Sequence, residues 1–493
     1  MQDPKPIPSS VGDFISSIEA ELGNPVDLYF EPFGNSSFTV VFLSSFTDQT
    51  DLQGYLLQSL LQVSQETNPS WDQLLGSTPK GIHFCRDNMG DAIGDLLKGY
   101  TLVHLSGSKI VYSFDTHKEV KRQPSEPLVE RTIRGPKVSL LEVLDENFLM
   151  IRRTIKNNHL RIDGMHIGDR TQTRVAILYL DDVAEPAIVA EVKRRLTEIH
   201  IDAVIDSGYI EQLITDSRYS IFPLTQSTER PDKVEAGILE GRIAILVDGS
   251  SNGILVPVTV NELYQSPEDY YFTFWFGAFL RFFRILGNNI AVALPGLYIA
   301  LVGVNPELLP IKFALTISGS RMGVAFPILI ELLIMETVIE IFREGSLRLP
   351  TTVSQTLGVT AGIVLGAASV SAGLISNATL VVVIITSIAS YSGPSYEIGL
   401  SWRILRYVLI LAAAFMGIYG LVVAGIMILT HAANQNSFGI SYLAPWAPIE
   451  ILELEDTVIR RPIWLRRRLR IYHPIDRSRM GAGAQSGKKG NKP

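Results

Sequence analysis

Apolar positions follow one pattern in the first half of the chain and another in the second. Up to about residue 260 they come in short runs bounded by polar turns, whereas from about 285 to 430 they merge into long blocks, and 351–396 carries no charged side chain at all. Short, near-continuous apolar runs predict strands, and three- to four-residue spacing predicts helices. In the first half, 38–43, 101–105 and 109–112 therefore read as strands and 52–63 as a helix, which gives an α/β module over 25–120 behind a flexible lead-in over 1–24. The polar run 116–130 marks a boundary. A second α/β module follows over 130–260, with strands at 175–180, 243–247 and 254–258, and a helix from Pro186 whose apolar residues Ile188, Val192 and Leu196 fall four apart.

The later blocks have the length of membrane spans, since about 20 apolar residues cross a hydrocarbon core of about 30 Å. Spans are predicted at 285–304, 353–372, 377–391 and 407–430 of a membrane domain over 272–431, the third short enough to need neighbours. The apolar stretch 326–342 differs, because it contains Glu331, Glu336 and Glu340. Carboxylates buried in lipid cost about 2.5–3.5 kcal/mol each, so this segment reads as re-entrant, interfacial or facing water. Beyond it, 455–493 is a basic tail beginning Arg460-Arg-Pro-Ile-Trp-Leu-Arg-Arg-Arg, whose charge favours the cytoplasmic side and whose Ile463, Trp464 and Leu465 suit a lipid interface. The N-terminus shows no basic-then-apolar leader pattern, which places it on the same side and makes the number of spans even. Four spans plus the Glu-bearing segment satisfy that. The fold class is multidomain: two N-terminal α/β soluble modules followed by an all-α polytopic membrane domain.

Charge and composition narrow the chemistry. A net charge of −7 gives no footing for nucleic acid, and the single cysteine, Cys85, rules out an intrachain disulfide or a cysteine-based zinc cluster. No histidine falls in an HExxH pattern and no GxSxG elbow occurs. The stretch 481–489 resembles a phosphate loop, but Ala482 stands where the first glycine belongs and Lys489 where serine or threonine does. Neither a catalytic site nor a metal or cofactor is expected.

Two sets of residues carry candidate function. Gly358, Gly362 and Gly366 are four apart and share a helix face, with Thr360, Ala361, Ala368 and Ser369 nearby. Such a face lets helices pack closely, or in an oligomer lines a narrow pore. Glu336 and Glu340 also share a face, with Glu331 about 140° round from Glu336. These carboxylates attract cations as a ring in an oligomer, or pair with Arg321, Arg343 or Arg348. Gly417, Gly420 and Gly425 hold no single spacing and read as packing, while Pro295 kinks the first span near Asn288 and Asn289.

Several runs then resemble one family. Thr228-Glu-Arg-Pro-Asp-Lys233, 239–248, Gln265-Ser-Pro-Glu-Asp-Tyr-Tyr271, Arg131-Thr-Ile-Arg-Gly-Pro-Lys137, Arg348-Leu-Pro350, Gly399-Leu-Ser-Trp-Arg-Ile-Leu-Arg406, Thr430-His431 and Ser437-Phe-Gly439 resemble the A subunits of GerA-type bacterial spore germinant receptors, over about 130–460. A related sporulation protein shares this architecture, but the Ser-Pro-Glu-Asp-Tyr-Tyr wording is closer to the receptor A subunits. The resemblance implies a multi-pass protein of the spore inner membrane with both termini cytoplasmic, in complex with a permease-like B subunit and a lipoprotein C subunit. It further implies a homo-oligomer forming a nutrient-gated cation channel. A secondary transporter and a non-conducting scaffold are the alternatives.

Overall fold

The computed structural model describes residues 5–476, except 34–36, 65–69, 79–82, 119–125, 128, 351–352, 355–357, 359–361, 363, 452, 461 and 463–467. The chain begins with α1 (Val11–Leu22), which buries Phe14, Ile18 and Leu22 and ends at Gly23 with φ +75°. This corrects the flexible lead-in expected over 1–24: three apolar residues four apart make one helical face, and the first sheet gives it a surface to cover.

The first module continues with β1 (Leu28–Phe33), β2 (Phe38–Leu43), α2 (Gln58–Ser64), α3 (Trp71–Ser77), β3 (His83–Arg86), α4 (Met89–Leu96), β4 (Tyr100–Leu105) and β5 (Val111–Asp115). Its antiparallel sheet has the order β1-β2-β4-β5-β3. Helices α1 and α4 cover one face, α2 and α3 the other. With both faces covered, β2 is buried along its whole length, which is why its sequence, Phe-Thr-Val-Val-Phe-Leu, does not alternate.

The second module repeats this plan. It comprises α5 (Leu144–Thr154), β6 (Leu160–Ile167), β7 (Thr173–Leu180), α6 (Pro186–Thr197), α7 (Ser207–Ile214), β8 (Gln226–Thr228), α8 (Pro231–Leu239), β9 (Ile243–Val247) and β10 (Gly253–Val256). The sheet order is β6-β7-β9-β10-β8, the same path as in the first module. Again α5 and α8 cover one face and α6 and α7 the other. The match extends to special backbone positions. Gly99 (φ +96°) and Gly107 (φ +87°) bracket β4, and Gly241 (φ +94°) and Gly249 (φ +85°) bracket β9 at the same spacing. The modules are locked together by Arg152, whose Nε and Nη2 donate to the Asp27 carboxylate at 3.0 and 2.8 Å, both residues being buried.

The helical region follows as antiparallel passes. Helix α9 (Phe274–Ile299, extended by a π-type turn Ala300–Val304) leaves the second module, and α10 (Ile311–Ser320) lies at its far end. Helix α11 (Ile328–Leu347) starts beside Gly303 and returns. Helical residues between 353 and 371 lead out again to Gly373, whose carbonyl accepts from the Ala325 N–H at 3.0 Å. Helix α12 (Asn377–Ser390) comes back, ending where Ser390 Oγ accepts from Arg343 at 2.8 Å.

The last helical segment, α13 (Tyr396–Ala433), is a hairpin. At Gly417 the backbone turns with φ +60° and ψ −137°, a region open only to glycine. Phe222 touches the rings of both Trp402 and His431, at 5.5 and 5.9 Å, although a straight helix would separate those residues by about 43 Å. Leu409 likewise packs in one cluster with Ala424. The window 407–430, expected as one span, is thus a turn between two antiparallel arms, and the described helical residues trace six passes. Among the described residues, two segments are long and apolar enough to cross a membrane, Phe274–Val304 and Tyr396–Ala433 taken over both its arms, and Asn377–Ser390 is a shorter apolar helix.

The C-terminal segment then folds onto the second module, where Phe438, Ile440, Ala444, Ile471 and Tyr472 complete the core beneath α6 and α7. The tail expected from 455 onward is therefore partly a structural element: Arg468 donates to Leu239 O at 2.7 Å and pairs with Asp476 at 2.8 Å. Ile463, Trp464 and Leu465, like residues 481–489, lie outside the described residues.

Candidate functional site in the helical region

Both candidate sets lie in this bundle. Glu331, Glu336 and Glu340 all sit on α11, the first two buried, and each has an arginine partner. Glu336 Oε2 accepts from Arg406 Nη1 at 2.6 Å, and Glu340 Oε1 from Arg403 Nη1 at 2.5 Å. Arg343 approaches Glu340 at 3.5 Å and lies over the Tyr391 ring. Glu331 faces Arg321 at 3.5 Å, while its other oxygen accepts from the Ser376 N–H and Oγ at 3.4 and 3.3 Å and from Thr379 Oγ1. Of the arginines proposed as partners, Arg321 and Arg343 take that role, whereas Arg348 pairs with Glu344. Arg403 and Arg406 escaped sequence reasoning. The available signal was their three-residue spacing inside 399–406, which matches Glu336 and Glu340 at four when two helices run antiparallel.

The glycine series behaves differently. Gly358 and Gly362 fall in helical residues and Gly366 in a π-type turn, Val364–Ala368, with half-buried Ser369 directly after it. A Cβ at Gly358 or Gly362 would meet no atom within 4 Å, and one at Gly366 would only touch Leu380 at 4.0 Å. Among the described residues, Gly358 and Gly362 thus have open space above them and Gly366 only Leu380; Thr360 lies outside the described residues.

Gly417, by contrast, is not a packing glycine. A Cβ there would lie 2.0 Å from Asn305 Oδ1, which accepts the Ile418 N–H at 3.1 Å. Asn305 follows the π-type turn of α9, so the interruptions of the two long apolar segments meet through one side chain. Pro295 lies within α9.

At the module end, Gln265-Ser-Pro-Glu-Asp-Tyr-Tyr271 forms a buried joint. Asp269 is fully buried and binds both Arg281, through Nε at 3.1 Å, and Arg284, through Nη1 and Nη2 at 3.0 and 3.1 Å. Arg281 also donates to Asp456 O at 2.7 Å, and Arg460 to Phe272 O at 2.9 Å. The first turns of α9 thus aim their arginines inward, leaving Trp275, Phe276 and Phe279 at least 60% exposed. Tyr271 donates to Asp232 at 2.5 Å, and burial pushes its phenol up. The motif joins α8, α9 and the C-terminal segment, which explains its residue types but was not visible as a joint in the sequence. Among the described residues, His159, Asp181 and Asp182 alone gather metal-ligand atoms, and Arg161 already holds Asp181.

Comparison with known sequences points to one family. The model of the Bacillus/Clostridium GerA spore germination protein family matches residues 16–471. Spore germination protein GerLA of Bacillus cereus is 36% identical over 460 residues, covering 91% of this chain and 93% of its own. Spore germination protein A1 of Bacillus subtilis (strain 168) is 39% identical over 371 residues, covering 75% and 77%. Among solved structures, the N-terminal domain of the A subunit of the Bacillus megaterium spore germinant receptor GerK3 is 30% identical, covering 52% of this chain and 97% of that one with a TM-score of 0.41.

Proposed function

The chain belongs to the GerA family of spore germination proteins, and from that premise we propose that it oligomerises into a nutrient-gated cation channel in the spore inner membrane. In this reading it works with a permease-like B subunit and a lipoprotein C subunit, and the channel's opening starts germination. The six helical passes cross the bilayer, with both α/β modules and the C-terminal segment in the cytoplasm. Charge supports that orientation: the module end of the bundle carries Arg281, Arg284, Arg343, Arg348, Arg403 and Arg406, the far end only Lys312 and Arg321. An even number of passes agrees with module and C-terminal segment sharing one core.

The observation that carries the channel reading is the unpartnered glycine face. Glu336 and Glu340 are closed off by Arg406 and Arg403, whereas Gly358, Gly362 and Gly366 form an uncharged, close-approach surface that their own chain leaves open. A ring of copies would cover it or line an axis with it. Gly362→Trp is expected to leave the receptor complex assembled at normal levels while nutrient-triggered cation release falls by about tenfold or more. Loss of assembly in step with loss of release would assign Gly362 to packing alone, and normal release would favour a scaffold.

A secondary-transport reading has one observation in its favour, the meeting of two interrupted helices at Asn305 and Gly417. Such transporters repeat their helical halves. In this chain the described repeat lies in the two sheets instead.

A further inference from the structure

We propose that Glu331, Ser376, Thr379 and Tyr298 form a binding site for a small alkali cation at the far end of the bundle, and that Arg321 occupies it as a tethered competitor. This rests on the cation-channel reading and adds to it a specific site and a resident blocker. Glu331 is fully buried, and its Oε2 is held by the Ser376 N–H and hydroxyl and by Thr379. Ser376 Oγ and Thr379 Oγ1 lie 2.9 Å apart, and the Tyr298 hydroxyl is 3.1 Å from Thr379 Oγ1. The Glu331 carboxylate and two hydroxyl oxygens thus converge at the N-terminus of α12, with the Tyr298 hydroxyl behind Thr379. Hard oxygen donors of this kind suit hydrated-type cations rather than soft metals.

The occupant seen there fits poorly. Glu331 Oε1 accepts no hydrogen bond, and Arg321 Nη2 stands 3.5 Å away, well beyond the about 2.7–2.9 Å of a charge-assisted bond. Arg321 Nη1 is itself buried without a hydrogen-bond partner. Glu336 also leaves one oxygen unpartnered, but its arginine closes to 2.6 Å. Arg321 sits in the turn after α10 with its side chain 21% exposed, so moving it outward opens the carboxylate to the far face. Exchange needs no bond chemistry: the cation replaces the guanidinium as the counter-charge of Glu331, and the net charge there is unchanged.

Two measurements on the purified full-length chain test this. Retention of radiolabelled rubidium or sodium is expected to rise about tenfold in Arg321→Gln over wild type and to vanish in Arg321→Gln/Glu331→Gln. Equal retention in the single and double variants, or no gain in the single, overturns the site. Because Arg321→Gln can fail to fold, wild-type protein supplies the second readout. Modification of Arg321 by an arginine-selective dicarbonyl is expected to accelerate with rubidium or sodium chloride but not with choline chloride at equal ionic strength; no difference between the salts also overturns it. The outcomes separate from those of the channel reading, since binding without conduction leaves the site standing and conduction without binding leaves the channel standing.

Discussion

Glu235 lies on α8, where burial against the second module lifts its carboxyl to about 7, opposed in part by a hydrogen bond from Thr154. Unfolded, the same group titrates near 4.5. Because the folded value is raised, the stability it contributes is fully present below pH 4.5 and is lost as the pH climbs through about 7. The gap corresponds to about 3 kcal/mol at full burial and to roughly 1–2 kcal/mol once solvent screening is allowed for. Hydrogen exchange of the β9 amides, compared at matched pH, is expected to show Glu235→Gln increasingly better protected than wild type from about pH 5 to about pH 8. A margin independent of pH would trace the effect to amide packing rather than titration. Nothing in the residues around 235 announces this, because burial on one side of a helix depends on which sheet it meets. Glu331, Glu336 and Glu340 were legible as anomalies for a simpler reason: charge inside an apolar run stands out whatever the fold.

At the scale of elements, α11 and the first arm of α13 are held by a two-rung ladder, Glu336 with Arg406 and Glu340 with Arg403. A buried pair is weak evidence for net stability, but removing one member leaves an uncompensated charge at a cost of about 3–5 kcal/mol. Glu336→Gln should therefore lower the yield of folded chain, and Glu336→Arg/Arg406→Glu should recover much of it, read by size-exclusion profile in detergent. A swap no better than the single change would show that the rung is not a mutual pair. The sequence revealed α11 but not its partner. Hydropathy also merged the two arms of α13, since the turn at 415–420 reads Phe-Met-Gly-Ile-Tyr-Gly with no polar residue to interrupt the window. Only the positive φ of Gly417 separates them, and composition does not encode a dihedral angle.

For the whole molecule, the duplicated α/β plan and the helical bundle are joined twice at the module end, by Asp269 to Arg281 and Arg284 on entry and by Phe438 and Tyr472 on return. The strand runs of both modules were legible, yet their equivalence was not. Outside the two glycines bracketing β4 and β9, few residues coincide, because a buried sheet accepts any apolar side chain of suitable volume. The joint fixes parity, and the hairpin fixes where the last turn lies. Position 419 discriminates best, since one continuous span over 407–430 would bury it in mid-bilayer. In a Cys85→Ser background, single cysteines at Met322, Tyr419 and Tyr219, which are 84%, 76% and 96% exposed, report the three levels. An impermeant maleimide applied to sealed vesicles of defined orientation is expected to label Met322→Cys and Tyr419→Cys from one side and Tyr219→Cys only from the other. Protection of Tyr419→Cys from both sides would return α13 to a single crossing and make the number of passes odd, which a shared core for module and C-terminal segment does not allow.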